Sequence, residues 1–236
     1  MAKTFTQWTV LPHKPLEKLA DNLWSVEGTM PSGDVRRVMV LARLGDGRVV
    51  VHNAIALEET HMKELEAWGT PSFIVVPNGY HRQDARIWKD RYPAAKVLCP
   101  EGAKKKVAKV VAPDGSYDDL PADPDVTLAH LDGCKKGEGA LVVRSGDRAT
   151  VVVNDVLMNI PKAGGMMGFA LAPTGRFSVP RLFRWFFTKD KTALAASLEK
   201  LAGTPGLERV IVSHGDAVTD EPGEGLRAAA RELTGV

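Results

Sequence analysis

The chain has 236 residues, which fits one large domain or two small ones. Its apolar fraction of 44% is enough for a substantial core, and its formal net charge of +2 gives no global signal for nucleic acid or membrane binding. Two cysteines make no disulfide framework, and the first residues lack the apolar stretch of a signal peptide, so we expect a cytoplasmic protein.

The first half of the chain begins with strand-like patterns and continues with helices and strands in alternation. A Gly-Asp-Gly break between two β-rich runs predicts a hairpin near residue 46. A continuous apolar run, FIVV, predicts a central strand that is buried on both faces. The predicted strands are 22–28, 37–44, 48–53, 73–76 and 96–99, and the predicted helices are 58–68, 84–92 and 102–110.

The second half follows a Pro- and Asp-rich surface connection at 112–125. Its predicted strands are 126–130, 140–143, 150–153 and 209–212, and its predicted helices are 189–201 and 225–233. Residues 157–187 show no periodicity that assigns them. This order favours mixed sheets covered by helices over a doubly wound parallel sheet, and no glycine-rich nucleotide-binding loop is present.

Four predicted strands end in turns that carry polar side chains. These turns are 77–84, 131–138, 154–155 and 213–216. Strand ends of mixed α/β proteins converge on one crevice, so we expect the four turns to be neighbours. Their candidate metal ligands, which are of the nitrogen, sulfur and oxygen types that zinc accepts, are His81, Cys134, Asp155 and His214.

The order and spacing of these motifs resemble those of the metallo-β-lactamase superfamily. The run NLWSVEG…LARLGDGRVVVHNA resembles its first β-meander, and FIVVPNGYHRQ resembles its strand that ends in His-x-His-x-Asp-His. LDGCKKGEG, VVVNDVL and IVSHGD resemble its later turns. The resemblance implies a single α/β domain over residues 1–236, a four-layer αββα sandwich with two mixed β-sheets that usually binds two metal ions for hydrolysis. Asn78 and His81, followed by Trp88 and Tyr92, also resemble an uncharacterised branch of that superfamily.

The first motif departs from the pattern at every ligand position. Asn78 and Tyr80 stand where two histidines are expected, Arg82 stands at the aspartate, and Gln83 stands at the third histidine. An amide oxygen is a weak ligand, a phenol has a pKa of about 10, and a guanidinium offers no lone pair. We therefore predict that the two-metal centre is lost.

Two interpretations of the remaining residues stay open. In the first, no cofactor is bound: Arg82 pairs with Asp155, while His214 and Tyr80 complete a hydrogen-bond network. The residues lining this ligand pocket are then Asn78, His81, Cys134 and His52. In the second, His81, Cys134, Asp155 and His214 hold one zinc ion.

Each interpretation carries its own function, and whether the protein is an enzyme stays open. The first describes a metallo-β-lactamase-fold protein of unassigned activity that binds an unknown small molecule. The second describes a mononuclear-metal hydrolase of esters, lactones or thioesters, with a bound water as nucleophile. Neither nucleic acid nor membrane is an expected partner, and a homodimer is left open.

An insertion at about residues 159–188 is apolar, basic and glycine-rich together. It falls between the third and fourth motifs, where the superfamily often carries a segment that covers the active site. Three functions are open for it: a lid or pocket wall, a protein–protein interaction surface through residues 164–187, or transient contact with an anionic membrane.

Overall fold

The computed structural model describes residues 4–30 and 36–235. The chain divides into two compact units, Met1–Leu128 and Ala129–Val236. Each unit has its own cluster of buried apolar side chains. None of the helices in the described part of the chain is long and apolar enough to cross a lipid bilayer.

The first sheet has six strands in the order in which they occur along the chain. The first four strands are antiparallel neighbours, and the fourth, fifth and sixth run parallel. The strands are β1 (Glu17–Ala20), β2 (Leu23–Thr29), β3 (Arg36–Arg43), β4 (Arg48–His52), β5 (Thr70–Val75) and β6 (Lys96–Leu98). The helices are α1 (Glu59–Trp68), α2 (Ala85–Arg91) and α3 (Lys104–Val107), with 3₁₀ turns at Glu101–Ala103 and Tyr117–Asp119.

Parallel pairing in this sheet follows from its crossovers. A parallel neighbour requires a long connection, and α1 and α2 supply it between β4, β5 and β6. The apolar run of β5 is buried from Phe73 onward, as expected of a strand covered on both faces. Trp88 on α2 is fully buried, and its indole N–H donates to the carbonyl of Ile55 at 3.1 Å.

The second sheet has four strands, β7 (Val126–His130), β8 (Gly139–Ser145), β9 (Arg148–Val153) and β10 (Leu207–Val212). Their order in the sheet is β10, β9, β8, β7. Strands β8 and β9 are antiparallel, whereas β9 and β10 are parallel. The helices of this unit are α4 (Gly165–Ala170), α5 (Lys191–Ala202) and α6 (Pro222–Thr234), with a π-helical turn at Phe183–Phe187.

Two mixed sheets accompanied by helices confirm the predicted α/β fold class. The sequence patterns missed β1 and left α4 and the π-helical turn unassigned. The helix predicted at 102–110 is shorter than expected, because the bonds that follow α3, Lys109 to Lys106 and Val110 to Val107, span three residues instead of four. One domain over residues 1–236 stays a prediction.

Candidate functional site

In the second unit, two parallel strands end side by side. Val153 of β9 pairs with Val212 of β10, so the residues that follow each strand emerge next to each other. The Ser213 N–H donates to the Val153 carbonyl at 3.2 Å, and its hydroxyl donates to Asn154 Oδ1 at 2.6 Å. This buried pair of bonds fixes the two turns relative to each other within the sheet.

Asp155 and His214 come next along these two turns. Asp155 Oδ1 lies 3.5 Å from His214 Nε2, and the two side chains are 22% and 13% exposed. Such a pair is accessible from solvent yet mostly enclosed by protein. A carboxylate and an imidazole in this arrangement can share a proton or bind one cation.

The turn that carries His214 is held by backbone bonds to Asn159. The Asn159 N–H donates to the His214 carbonyl at 3.3 Å, and the Asp216 N–H donates to the Asn159 carbonyl at 3.1 Å. Gly215 lies between them with φ +108, and a Cβ there would stand 2.1 Å from the Asn159 oxygen. Only glycine fits this turn, so the position of His214 depends on a residue with no side chain.

In the first unit, the turn after β5 is closed by the amide of Asn78. Its Oδ1 accepts from the N–H groups of Tyr80 at 2.8 Å and His81 at 3.1 Å. His81 is buried, and its Nδ1 lies 3.0 Å from Asn53 Oδ1. Asn53 Nδ2 donates to the Val38 carbonyl at 2.7 Å, which establishes which end of this amide is the oxygen. His81 Nδ1 is therefore the donor in this bond.

Asn53 was not among the site residues predicted from the sequence. It follows β4 directly and adopts a left-handed conformation with φ 57, which asparagine tolerates better than most residues. Orienting an imidazole through Nδ1 is what the outer partners of metal-binding histidines do. The sequence signal was an Asn at a strand end, which is too common to be informative by itself.

His52, the last residue of β4, is fully buried. Neither of its ring nitrogens has a hydrogen-bond partner among the described residues. Burial, assisted by the charge of His81, lowers the pKa of His52 to about 3. The ring is therefore neutral at physiological pH. The first unit thus brings together His52, Asn78 and His81 of the predicted pocket.

The other residues matched to the first motif are engaged within the first unit. The Arg82 guanidinium donates to the carbonyl of Lys106 at the end of α3. The Lys106 ammonium lies 3.5 Å from the centre of the Tyr80 ring, a cation–π contact on a side chain that is 39% exposed. Gln83 is buried, and its backbone carbonyl accepts a hydrogen bond from the backbone N–H of Phe5 at 3.0 Å. The pairing of Arg82 with Asp155 stays a prediction.

A buried ion pair in the first unit was not anticipated. Arg37 and Asp84 are both buried, and Nη1 of the guanidinium donates to Oδ2 of the carboxylate. The second oxygen, Oδ1, accepts from the Ala56 N–H at 3.1 Å. Asp84 precedes α2 but makes no side-chain cap, so it neutralises a buried cation instead of capping the helix. Sequence patterns did not reveal the pair because its partners are 47 residues apart.

Cys134 lies apart from Asp155 and His214. Its backbone forms a bridge with Thr188, and its side chain packs against the apolar core of the second unit. Burial, together with the charges of Glu138 and Asp132, raises the pKa of the thiol far above its usual range. Among residues 129–235, no third His, Cys, Asp or Glu places a ligand atom within 4.8 Å of both Asp155 and His214.

Comparison with solved structures identifies the architecture. The crystal structure of VMB-1 at pH 5.5 is 11% identical, with a TM-score of 0.65 over 96% of this chain and 100% of that one. The DIM-1 metallo-β-lactamase exposed to ceftazidime is 11% identical, with a TM-score of 0.64 over 95% of this chain and 99% of that one. The chain has the metallo-β-lactamase fold. The fold implied by the sequence resemblance is therefore confirmed.

This likeness is one of structure rather than sequence. No protein-family model matches the chain, and no curated protein matches it. The chain therefore shares the arrangement of buried strands and helices with these structures, although its sequence differs from theirs at most positions.

Proposed function

We propose that this protein is a metallo-β-lactamase-fold hydrolase that works with one transition-metal ion, for which Asp155 and His214 are ligands. The observation that carries the proposal is the 3.5 Å approach of Asp155 Oδ1 to His214 Nε2 at the ends of two adjacent parallel strands. Carboxylate oxygen and imidazole nitrogen are both ordinary zinc ligands.

The chemistry of the first motif supports one ion instead of two. Asn78 Oδ1 already accepts two backbone N–H groups, and Tyr80 lies under the Lys106 ammonium. Arg82 adds a permanent cation that donates to a carbonyl. A second ion needs further histidines and carboxylates, and these positions offer none.

Two further residues of the sequence-based ligand set differ in how well their chemistry fits a metal. His81 stays in the set because Asn53 orients its ring through Nδ1, as the outer partners of metal-binding histidines do. Cys134 leaves the set. Its sulfur is not within 4.8 Å of the ligand atoms of both Asp155 and His214, so it does not share their site.

When bound, such an ion supplies Lewis acidity and a nucleophile that is available at neutral pH. The chain's own residues position it. Asp155 contributes one negative charge, and His214 contributes a nitrogen whose location is fixed by the Gly215 turn. We propose small esters, lactones or thioesters as substrates, since each presents a carbonyl that a single ion can polarise.

The test is zinc-dependent hydrolysis with ligand variants. Protein stripped by a chelator and reloaded with zinc is assayed on a panel of activated esters, lactones and thioesters. Asp155→Ala and His214→Ala are expected to weaken zinc binding by more than about a hundredfold and to abolish hydrolysis. This loss of affinity exceeds the one usually seen when a residue that only orients a ligand is removed. Asp147→Ala is the matched control, because Asp147 is exposed just before the opposite end of β9.

Equal hydrolysis by the stripped and the zinc-loaded protein would contradict the proposal, as would an Asp155→Ala variant that retains full activity. Absence of both zinc binding and hydrolysis would favour a protein that binds a small molecule without a metal.

A further inference from the structure

The second unit exposes a patch of large apolar side chains. Six large apolar or aromatic side chains are exposed in the described part of the chain, and all but Tyr80 lie in the insertion. We call this set the aromatic patch; its members and their exposures are Met166 (89%), Phe169 (59%), Leu182 (41%), Trp185 (56%) and Phe186 (59%). Isolated exposed apolar residues are ordinary, but a cluster of them marks an interaction surface.

The aromatic patch is held in place by the fold beneath it. Phe183 points inward and is buried in the core of the second unit, and Phe187 packs beside it with ring centres 5.7 Å apart. The π-helical turn between these anchors leaves Trp185 and Phe186 facing outward. The outward residues are therefore presented by a packed turn.

Arg181 joins the two parts of the aromatic patch. Its guanidinium lies 4.5 Å from the ring centre of Phe169 and 5.5 Å from that of Trp185. The two rings are themselves 6.3 Å apart. A cation held between two exposed rings offers apolar and positively charged surface at the same point.

The charge around the aromatic patch has one sign. Between Asp155 and Asp190 the sequence contains no acidic residue, whereas it contains Lys162, Arg176, Arg181, Arg184 and Lys189. The whole chain carries only +2, so the rest of the chain is net acidic. Lys136 adds a further cation, 5.1 Å from the ring centre of Phe187.

Not all of these cations face outward. Arg176 pairs with Glu232, and Arg184 donates to the Glu232 carbonyl at 3.4 Å. Lys162 and Lys189 are exposed, and Arg181 lies within the aromatic patch itself. The surface that a partner meets is therefore aromatic and positively charged.

We propose that the aromatic patch binds the surface of an anionic lipid membrane. Aromatic and aliphatic side chains insert at the level of the headgroups, while arginine and lysine contact the lipid phosphates. The near-neutral net charge of the chain had given no reason to expect a membrane partner. The local distribution of charge and the outward orientation of the rings supply that reason.

A second copy of the chain fits the aromatic patch less well. A symmetric dimer places the same patch on both sides of the interface. Arg181 and its neighbouring lysines would then approach their own copies, and like charges brought together across an interface are repulsive. An anionic lipid surface instead complements these charges.

The test is co-sedimentation of the full chain with vesicles of two compositions: phosphatidylcholine alone, and equal parts of phosphatidylcholine and phosphatidylserine. We expect binding to the mixed vesicles and none to the neutral ones. Arg181→Gln is expected to weaken binding about fivefold, the change that one cation near an anionic surface contributes. The double variant Trp185→Ser, Phe186→Ser is expected to weaken it about tenfold or more.

Lys105→Gln is the matched control, because it removes one exposed cation from α3, outside the insertion. It is expected to bind as the unchanged protein does. Circular dichroism confirms that each variant is folded. The proposal is overturned if neither vesicle binds, if both bind equally, or if Lys105→Gln weakens binding as much as Arg181→Gln. A dimer that dissociates in the double variant, without vesicle binding, overturns it in favour of self-association.

Discussion

At the scale of single residues, burial of the polar His52 ring lowers the stability of the folded state. A buried polar group without a partner loses its hydrogen bonds to water and regains none, which costs free energy of folding. The pKa of His52, lowered to about 3 by burial, has the same origin, because the described residues around the ring offer it no hydrogen bond and disfavour its charged form. Both effects can be measured as protein stability.

The stability of the chain is predicted to fall in acid because of His52. In the unfolded chain a histidine has a pKa of about 6.5. Below that pH, His52 therefore binds a proton in the unfolded state but not in the folded state. Because of His52, the free energy of unfolding should decrease as the pH falls from about 6.5 to about 3. The decrease should reach roughly 2 kcal/mol at about pH 5. Urea unfolding at about pH 7.5 and about pH 5, followed by tryptophan fluorescence, measures it.

His52→Leu tests the assignment. Leucine has a similar volume and no polar group, so stability near neutral pH should be unchanged or raised, and the loss in acid should shrink by about 2 kcal/mol. His130→Leu, at an exposed position, should leave the acid loss as it is. A His52→Leu variant with the same loss in acid as the unchanged protein would show that His52 is not its source.

At the scale of secondary-structure elements, the pair β9–β10 positions the candidate ligands. Its parallel register places Asn154 beside Ser213, and the next residues of each turn are Asp155 and His214. Gly215 then allows the second turn to close against Asn159. The ligand geometry therefore depends on backbone conformation at a residue that is not a ligand.

We predict that Gly215→Ala disturbs the proposed metal site. The left-handed φ alone costs an alanine about 1 kcal/mol, and the 2.1 Å approach to the Asn159 oxygen requires the turn to move. Stability should drop by more than about 2 kcal/mol, and zinc affinity by about tenfold or more. Urea unfolding and calorimetric zinc titration measure the two effects.

Gly146→Ala is the control for this substitution. Gly146 also has a positive φ, of +64, but nothing lies within 4 Å of its added Cβ. It should cost about 1 kcal/mol of stability and leave zinc binding unchanged. Equal zinc affinity in the two variants would show that the Gly215 turn does not position His214.

The elements that the sequence predicted well are those with a clear hydrophobic pattern. The buried strand β5 follows from a continuous apolar run, and the helix α5 follows from a run whose burial repeats at 3–4 residues. Strand β1 was missed because only two of its four residues are partly buried, so its sequence lacks an apolar face. The π-helical turn was missed because its aromatic residues point both inward and outward.

At the scale of the whole molecule, the fold was predictable while the chemistry was only partly so. The order of motifs indicated the metallo-β-lactamase fold, which structures of 11% identity confirm. The four strand-end turns were also located correctly. The partners of the side chains in these turns were not predictable. Arg82 contacts Lys106 and Asp84 contacts Arg37, and each pair joins residues that are far apart in sequence.

The central proposal is that this chain holds one metal ion, where the resemblance of its sequence implies two. Metal analysis by mass spectrometry, on protein equilibrated with zinc and freed of excess metal, tests it most directly. We predict about one equivalent of zinc, lost in Asp155→Ala and in His214→Ala and retained in Asp147→Ala. About two equivalents, or none, would contradict the account.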